Sequence, residues 1–299
     1  MNTKPRIAAL FLLVLILALP GTARAEHEGK LQILLLGDSS CEASIPRKLA
    51  PKEPQFEDVI RVLLAAEKDL PPTNVINLGL SGEFIRRLLD SGRYDKQAAK
   101  LPGLDYIFIR YGLNDVAKIK EFDTAFPKDF HDLIARLRKD HPAAMLIPMT
   151  VIPWGADLKA DAPKSKRIND IVFRVATEEK LTCFDIYPRY AAEQAKGPNM
   201  LNYRRYPLAK IPEKLHELAK PYVHEGGRRG TTVEVLDNRL DAHFGHLPGW
   251  FGDRHPNLAG YRVIADETAK FLAPIIRGGS AASRTGATAP GQEAAPVGR

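Results

Sequence analysis

The amino-acid sequence predicts an α/β fold built on a parallel, doubly wound sheet. Strand-length apolar runs lack the polar alternation of a half-exposed strand, as expected of parallel strands that are covered on both faces. Segments with apolar residues at helical spacing separate these runs, so strands and helices alternate along the chain. The five predicted strands are residues 31–36, 75–78, 106–109, 145–150 and 181–186.

Four of the connecting segments are predicted to be helices with one apolar face. Apolar residues recur in them at helical spacing, which buries one side of a helix on a sheet. The apolar stripes are Phe56, Ile60, Leu63 and Leu64; Phe130, Leu133, Ile134 and Leu137; Ile168, Ile171, Val172 and Val175; and Leu258, Tyr261, Ile264, Ala265 and Leu272.

Residues 1–25 have the pattern of a secretory signal peptide. Lys4 and Arg6 form a basic head, residues 7–19 are unbroken apolar sequence, and Ala-Arg-Ala ending at Ala25 fits a cleavage site. The apolar run is short for a bilayer span of roughly 20 residues, so an uncleaved anchor is the weaker alternative. We therefore expect cleavage near Ala25, a secreted or periplasmic location, and no stable membrane insertion afterwards.

The charge pattern argues against a nucleic-acid partner, and the cysteine positions argue against a disulfide. The formal net charge is +7, and removal of the leader takes away three positive charges. Because no basic stripe with interleaved aromatic residues is present, we expect no nucleic-acid partner. The two cysteines, Cys41 and Cys183, fall on non-adjacent elements of the predicted topology, which favours free and mostly buried thiols.

The rest of the chain is predicted to be one domain, residues 26–277, followed by a tail. Within it, residues 188–250 break the alternation, with only a modest helical stretch at residues 213–220. Such a long insertion is a candidate lid or substrate-binding wall, and a passive surface excursion is the alternative. Residues 278–299 are rich in Gly, Ala, Ser, Thr and Pro, which predicts disorder.

Polar turns that contain glycine follow the predicted strands. Open α/β sheets place their sites at the carboxyl ends of the strands, so we expect these turns to meet along one edge of the sheet. They are residues 37–40, 77–82 and 111–115, together with residues 252–257 before the last helix.

These turns carry the groups that acyl transfer needs. The hydroxyl of Ser39 is a weak nucleophile that requires an adjacent base, and His255 can take its proton and return it to the leaving group. The oxyanion of a tetrahedral intermediate needs hydrogen-bond donors, for which the backbone N–H groups of Ser39 and Gly82 and the side-chain amide of Asn114 are candidates.

The four blocks that hold these residues resemble the signature blocks of the SGNH (GDSL-like) hydrolase superfamily, in the same order. The resemblance implies a three-layer, flavodoxin-like sandwich with five parallel strands in the order 2-1-3-4-5. It also implies hydrolysis of carboxylic esters or thioesters without a cofactor, with Ser39 as nucleophile, His255 as base, and Ser39, Gly82 and Asn114 as the oxyanion hole. The blocks are Gly37-Asp38-Ser39, Asn77-x-Gly79-x-Ser81-Gly82, Gly112-x-Asn114-Asp115, and His255-Pro256-Asn257 with Gly260-Tyr261.

The sequence departs from the family pattern at the catalytic acid. The family's acid lies three residues before the histidine, where this chain has Gly252, and Asp253 lies two before. Positions two and three residues back in an extended segment point to opposite sides. We favour Asp253 as the acid, with Asp241 or a backbone carbonyl as alternatives.

A second departure from the family pattern follows the nucleophile. Ser40 and Cys41 there are lesser rivals of Ser39 for the role of nucleophile.

Two other functions are alternatives to a serine hydrolase. Asp241, His243 and His246 could bind a metal ion that activates water, or the fold could be a binding module with impaired catalysis.

An exported member of this superfamily is expected to remove short acyl groups, such as acetyl, from carbohydrate or envelope material, with lipid esters as the next choice. Arg86, Arg87, Arg110 and residues 203–206 could face an anionic or carbohydrate substrate, although solvated surface is the expected role of most of them.

Overall fold

The centre of the computed structural model is a parallel sheet of four strands in the order β2-β1-β3-β4. The alternate residues of β1 point to opposite faces, and both sets are buried. The prediction of a parallel sheet covered on both sides is therefore confirmed. The strands are β1 Leu31–Gly37, β2 Thr73–Asn77, β3 Tyr106–Arg110 and β4 Met145–Pro148.

The structure describes residues 29–155, 158–197, 201–226 and 230–285. The predicted signal peptide and residues 286–299 of the predicted tail lie outside the described residues. No helix in these described ranges combines the length and apolarity needed to cross a membrane.

The fifth predicted strand is reduced to one bridge. Residues 181–186 lie beside the end of β4, where Met149 and Phe184 form a parallel bridge. Phe184 donates its N–H to the carbonyl of Pro148 over 2.8 Å and accepts the N–H of Thr150 over 3.1 Å. In a parallel ladder, every second residue of a strand donates its N–H to the same neighbouring strand. Thr150 donates to residues 181–186 here, so the residue at position 148 would have to donate the hydrogen bond before it. Proline has no N–H, and the ladder ends there.

Helices cover both faces of the sheet and complete the three-layer sandwich. On one face Leu34 and Leu36 pack with the apolar stripes of α7 and α8, and on the other Ile33 and Leu35 pack with those of α3 and α12. The helices are α1 Ser39–Glu42, α2 Ser44–Leu49, α3 Phe56–Ala66, α4 Ile85–Asp90, α5 Arg93–Lys96, α6 Asp115–Lys118, α7 Phe122–Asp140, α8 Leu158–Glu178, α9 Tyr187–Gln194, α10 His216–Ala219, α11 Asp241–Phe244 and α12 Leu258–Thr285.

The last helix runs beyond the predicted end of the domain. The sequence predicts that end at residue 277, whereas α12 continues to Thr285. The prediction rests on a composition rich in Gly, Ala, Ser, Thr and Pro without an apolar stripe, but Gly costs only about 1 kcal/mol relative to Ala in a helix interior.

The insertion at residues 188–250 contains a small antiparallel sheet that the sequence analysis did not predict. Its strands are β5 Arg204–Pro207, β6 Val223–His224 and β7 Thr232–Val235, in the order β5-β7-β6. The alternating residues of β7 were the available signal, but the strand is short. The sheet has a hydrophobic core of its own, formed by Tyr206, Ile211, Ala219, Val233, Val235, Leu240, Phe244 and Trp250. The insertion is therefore a packed subdomain.

Candidate active site

Ser39 lies at the tight turn between β1 and α1. Asp38 caps this helix, because its Oδ1 accepts the Ser40 N–H over 2.8 Å and the Ser40 hydroxyl over 2.7 Å. Tyr261 on α12 donates its hydroxyl to the Ser39 carbonyl over 3.2 Å. The half-buried Ser39 side chain is thus presented at the carboxyl end of the sheet by a turn that is held from two sides.

The two neighbouring rivals for the nucleophile point into the protein. The Ser40 hydroxyl is buried and committed to Asp38. Cys41 is buried in the core below the turn, and burial raises the pKa of its thiol to about 12. A thiol with such a pKa holds almost no thiolate near neutral pH. Both cysteines are free thiols, as predicted.

The structure brings Ser39, His255 and Asp253 into one hydrogen-bonded row. His255 Nε2 lies 3.1 Å from Ser39 Oγ, and His255 Nδ1 lies 2.7 Å from Asp253 Oδ1. The same Asp253 oxygen accepts the backbone N–H of His255 over 3.1 Å. The acid two positions before the histidine therefore reaches the imidazole, because a local turn carries its side chain round to Nδ1.

Asp253 is an ionised carboxylate in a protected position. Its side chain is 2% exposed, and its second oxygen, Oδ2, accepts a hydrogen bond from Arg205. Burial alone would raise its pKa, but the hydrogen bond from His255 and the charges of His255 and Arg205 outweigh burial and lower the pKa to about 2. Asp253 can therefore fix the orientation of the ring and balance a positive charge on it.

The candidate oxyanion donors keep N–H groups available for a ligand. In the described part of the chain, neither the Ser39 N–H nor the Gly82 N–H donates to a protein acceptor. Gly82 has φ +76°, a conformation that glycine adopts without strain. Asn114 uses one amide hydrogen on the Glu83 carbonyl over 2.9 Å, which leaves the other for a ligand.

A close backbone approach joins the second block, residues 77–82, to the turn that carries Ser39. A Cβ on Gly79 would lie 2.4 Å from the Glu42 backbone nitrogen, so glycine is required there. Leu80 donates its N–H to the Gly37 carbonyl over 3.0 Å. Ser81 donates its N–H to Glu42 Oε2 over 2.6 Å. These contacts fix the position of Gly82 relative to Ser39.

The third block is anchored by a buried carboxyl group. Asp115 accepts the Gly112 N–H over 3.0 Å and the Ile85 N–H over 3.0 Å, and it has no exposed surface. Burial raises its pKa to about 7. Asp115 ties the loop that carries Asn114 to the start of α4, so its role is to position the donors.

The residues of the alternative metal site are not brought together. Both oxygens of Asp241 are bonded to Arg204, over 2.9 and 2.6 Å, and Oδ1 also accepts Trp250 Nε1–H over 2.8 Å. Asp241 thus holds the insertion together. Over the described ranges, no three His, Cys, Asp or Glu side chains are grouped to hold a metal ion, and this includes His243 and His246.

Several arginines that the sequence offered as substrate contacts serve the fold instead. Arg86 bonds Asp129 and Asp132, and the buried Arg110 donates to the Ser40 carbonyl beneath the nucleophile turn. The contact of Arg205 with the acid was missed, since no local pattern relates two residues 48 positions apart.

A parallel α/β sheet with a hydroxyl, an imidazole and a carboxylate aligned at its carboxyl edge is an arrangement of ester-cleaving hydrolases. A sequence profile of the GDSL-like lipase/acylhydrolase family matches residues 35–263. The chain therefore belongs to this family, which confirms the resemblance to SGNH hydrolases, and it is a carboxylic ester hydrolase.

Solved structures share the fold at low sequence identity. LAE5, an alpha/beta hydrolase from the metagenome of Lake Arreo in Spain, has a TM-score of 0.51 and 18% identity, over 82% of this chain and 94% of that chain. The acetylxylan esterase Axe2 of Geobacillus stearothermophilus has a TM-score of 0.51 and 18% identity, over 83% and 95%. A protein of Parabacteroides merdae assigned as a GDSL-like lipase has a TM-score of 0.52 and 13% identity, over 83% and 97%. None of the curated protein sequences compared with the chain matches it.

Proposed function

We propose that this protein is an exported serine esterase that removes short acyl groups, such as acetyl, from carbohydrate or cell-envelope material. The observation that carries the proposal is the hydrogen-bonded row in which Ser39 Oγ lies 3.1 Å from His255 Nε2 and Asp253 Oδ1 lies 2.7 Å from His255 Nδ1. This spacing supports the proposal, because a nucleophile, a general base and an orienting carboxylate need to be linked by hydrogen bonds in this order.

In the acylation step, Ser39 Oγ attacks the ester carbonyl carbon as His255 Nε2 takes the hydroxyl proton. The carbonyl oxygen becomes an oxyanion, which the Ser39 and Gly82 N–H groups and the free amide hydrogen of Asn114 stabilise. The tetrahedral intermediate collapses when the C–O bond to the alcohol breaks. His255 then returns its proton to the departing alkoxide, which leaves an acyl ester on Ser39.

In the deacylation step, water replaces the alcohol. His255 takes a proton from a water molecule as its oxygen attacks the acyl carbon, and the same three donors stabilise the second oxyanion. The bond to Ser39 Oγ breaks, His255 protonates this oxygen, and a carboxylic acid is released. Throughout both steps Asp253 remains ionised, because its pKa of about 2 lies far below neutral pH.

The charged surroundings of the site favour a sugar alcohol over a lipid. Lys118 and Arg87 both donate to the Gly82 carbonyl, Glu42 accepts from Ser81, and all three side chains reach solvent. Such groups hydrogen-bond well to hydroxyl-rich molecules and poorly accommodate a long acyl chain. The acetylxylan esterase with the same fold gives a precedent for an acetylated sugar.

The test compares the mature protein with Ser39→Ala on p-nitrophenyl acetate, butyrate, octanoate and palmitate, and on acetylated xylo-oligosaccharides. We expect the acetyl esters to give the highest kcat/KM and Ser39→Ala to lose about 10⁴-fold or more in kcat. Ser91→Ala, which removes an exposed hydroxyl at the end of α4, is the matched control and should keep the wild-type rate.

Two results would count against the proposal. Equal rates for the wild type and Ser39→Ala would remove Ser39 from the mechanism. A preference for octanoate or palmitate over acetate, with no release of acetate from the oligosaccharide, would replace the carbohydrate substrate with a lipid ester.

A further inference from the structure

The insertion runs alongside the loop that carries the histidine. Asn202 forms an antiparallel bridge with Pro256, and the Tyr203 N–H donates to the His255 carbonyl over 2.9 Å. The Asn202 side chain donates to the Asp253 carbonyl over 3.2 Å. The residues leading into β5 therefore fix the backbone on both sides of His255.

Arg205, in β5, continues this contact to the side chain of the acid. Its Nη2 donates to Asp253 Oδ2, while the other oxygen, Oδ1, faces His255. The Arg205 side chain is 19% exposed and the Asp253 side chain 2% exposed, so the ion pair is largely shielded from water. The Arg205 guanidinium also lies 5.5 Å from the ring centre of Tyr203.

We propose that Arg205 is a positioning residue for ester hydrolysis: it holds the Asp253 carboxylate in the orientation that keeps Oδ1 on His255 Nδ1, so that the insertion completes the catalytic row. The inference deepens the proposed function and rests on it. The proposal gives the insertion a direct role in catalysis, because the insertion supplies Arg205, which bonds the catalytic acid.

The position of the acid explains why such a partner is needed. Asp253 lies only two residues before His255, so a tight turn must bring its carboxylate to the ring, and rotation of that carboxylate would break the contact. Without Arg205, the buried Oδ2 of Asp253 would lose the charge of this guanidinium, and removal of one member of a buried ion pair is destabilising. The Arg205 guanidinium both limits rotation of the Asp253 carboxylate and balances the charge of its buried oxygen.

The charge of Arg205 also acts on the imidazole. Among the described residues, the charged and titratable groups that act on the Asp253–His255 pair include Arg205 and Tyr203 from the insertion and Asp38 from the turn that carries Ser39. Arg205 is a positive charge bonded to Asp253, next to His255. Removal of this charge should move the acid limb of the kcat/KM profile to higher pH, by about one unit for a charge at this range.

The experiment measures kcat, KM and the pH profile of Arg205→Met, Arg205→Gln and Arg205→Lys, with active sites counted by titration with an organophosphate. For Arg205→Met we expect kcat to fall about 10- to 100-fold, less than for loss of the acid itself. The KM should change by less than about twofold, because the bond that is lost is to Asp253 Oδ2. Arg205→Gln keeps a donor without the charge and should shift the acid limb. Arg205→Lys keeps the charge and should leave the limb in place.

A double-mutant cycle separates positioning from a general structural effect. If Arg205 acts through Asp253, adding Arg205→Met to Asp253→Asn should reduce kcat by less than about threefold further. Arg239→Met removes an exposed arginine–aspartate pair elsewhere in the insertion and is the matched control, with wild-type kcat and pH profile.

Wild-type kcat and an unmoved acid limb in both Arg205→Met and Arg205→Gln would overturn the inference. Full additivity in the double-mutant cycle would do the same. If Arg205→Met does not fold, the Gln and Lys variants decide: identical profiles overturn the inference, and a shift in Gln alone supports it. Failure of the proposed function is separate, since it would appear as undiminished turnover in Ser39→Ala.

Discussion

Replacement of Asp253 by asparagine should remove a pH-dependent part of the stability of this protein. The folded-state pKa of Asp253 is about 2, against 3.8 for an unperturbed aspartate. A carboxyl group with a lowered pKa stabilises the fold above its unfolded pKa and loses that contribution as the pH falls through the folded pKa. The difference corresponds to about 2.4 kcal/mol at pH 6, at 1.36 kcal/mol per pKa unit.

The assay is urea unfolding of the wild type and Asp253→Asn at pH 6 and at pH 3. At pH 3 the carboxyl group of the unfolded chain is mostly protonated while that of the folded protein is mostly ionised, so about 1.3 kcal/mol of the contribution should remain. The stability difference between the two proteins should therefore shrink by about 1 kcal/mol between pH 6 and pH 3.

Asp38→Asn provides a control of opposite sign. Burial raises the pKa of Asp38, so its contribution to the free energy of unfolding is largest at low pH and is lost as the pH rises through the raised value. Its difference from the wild type should move in the other direction on acidification. An Asp253→Asn difference that is the same at pH 6 and pH 3 would refute the account of the Asp253 environment given above.

Three further substitutions test the donors, the close packing and the insertion. Asn114→Ala should lower kcat by about 10²- to 10³-fold in steady-state assays with little change in KM, because the donor acts on the developing oxyanion, and an unchanged kcat would exclude it from the oxyanion hole. Gly79→Ala should lower the free energy of unfolding by about 1–3 kcal/mol in urea titrations, since its Cβ would meet the Glu42 backbone nitrogen at 2.4 Å, and a Tm equal to the wild type would contradict that contact. Asp241→Asn should destabilise the protein by about 1–3 kcal/mol, because the charge-assisted hydrogen bonds from the buried Arg204 to the Asp241 carboxylate become hydrogen bonds to a neutral amide. The kcat per titrated active site should stay at the wild-type value, and a loss of several orders of magnitude would favour Asp241 as the catalytic acid.

The sheet could be predicted because buried parallel strands leave a strong local signal. Residues 31–36 and 106–109 are continuous apolar runs, and both became central strands. The edge was harder to predict, because residues 181–186 are equally apolar, yet their pairing depends on whether the neighbouring strand can donate hydrogen bonds. Pro148 lies 33 positions or more earlier in the chain, so the pattern of the segment itself carries no trace of the missing N–H.

In the candidate site, too, local motifs could be predicted and contacts between distant residues could not. Ser39, Gly82, Asn114 and His255 lie in motifs that can be recognised locally. The structure brings His255 to Ser39 and bonds Asn114 to the residue after Gly82. The partner of the acid could not be predicted in this way. Two adjacent arginines of β5 pair with different aspartates, 37 and 48 positions away, and only the three-dimensional path of the insertion decides which arginine reaches Asp253.

The distance along the chain between Ser39 and His255, 216 positions, has a consequence for truncated forms of this protein. Under the proposed function, a chain that ends anywhere before residue 255 keeps the serine hydroxyl but has no imidazole to activate it. Because the two groups come from opposite ends of the domain, the proposed ester cleavage requires almost the whole polypeptide.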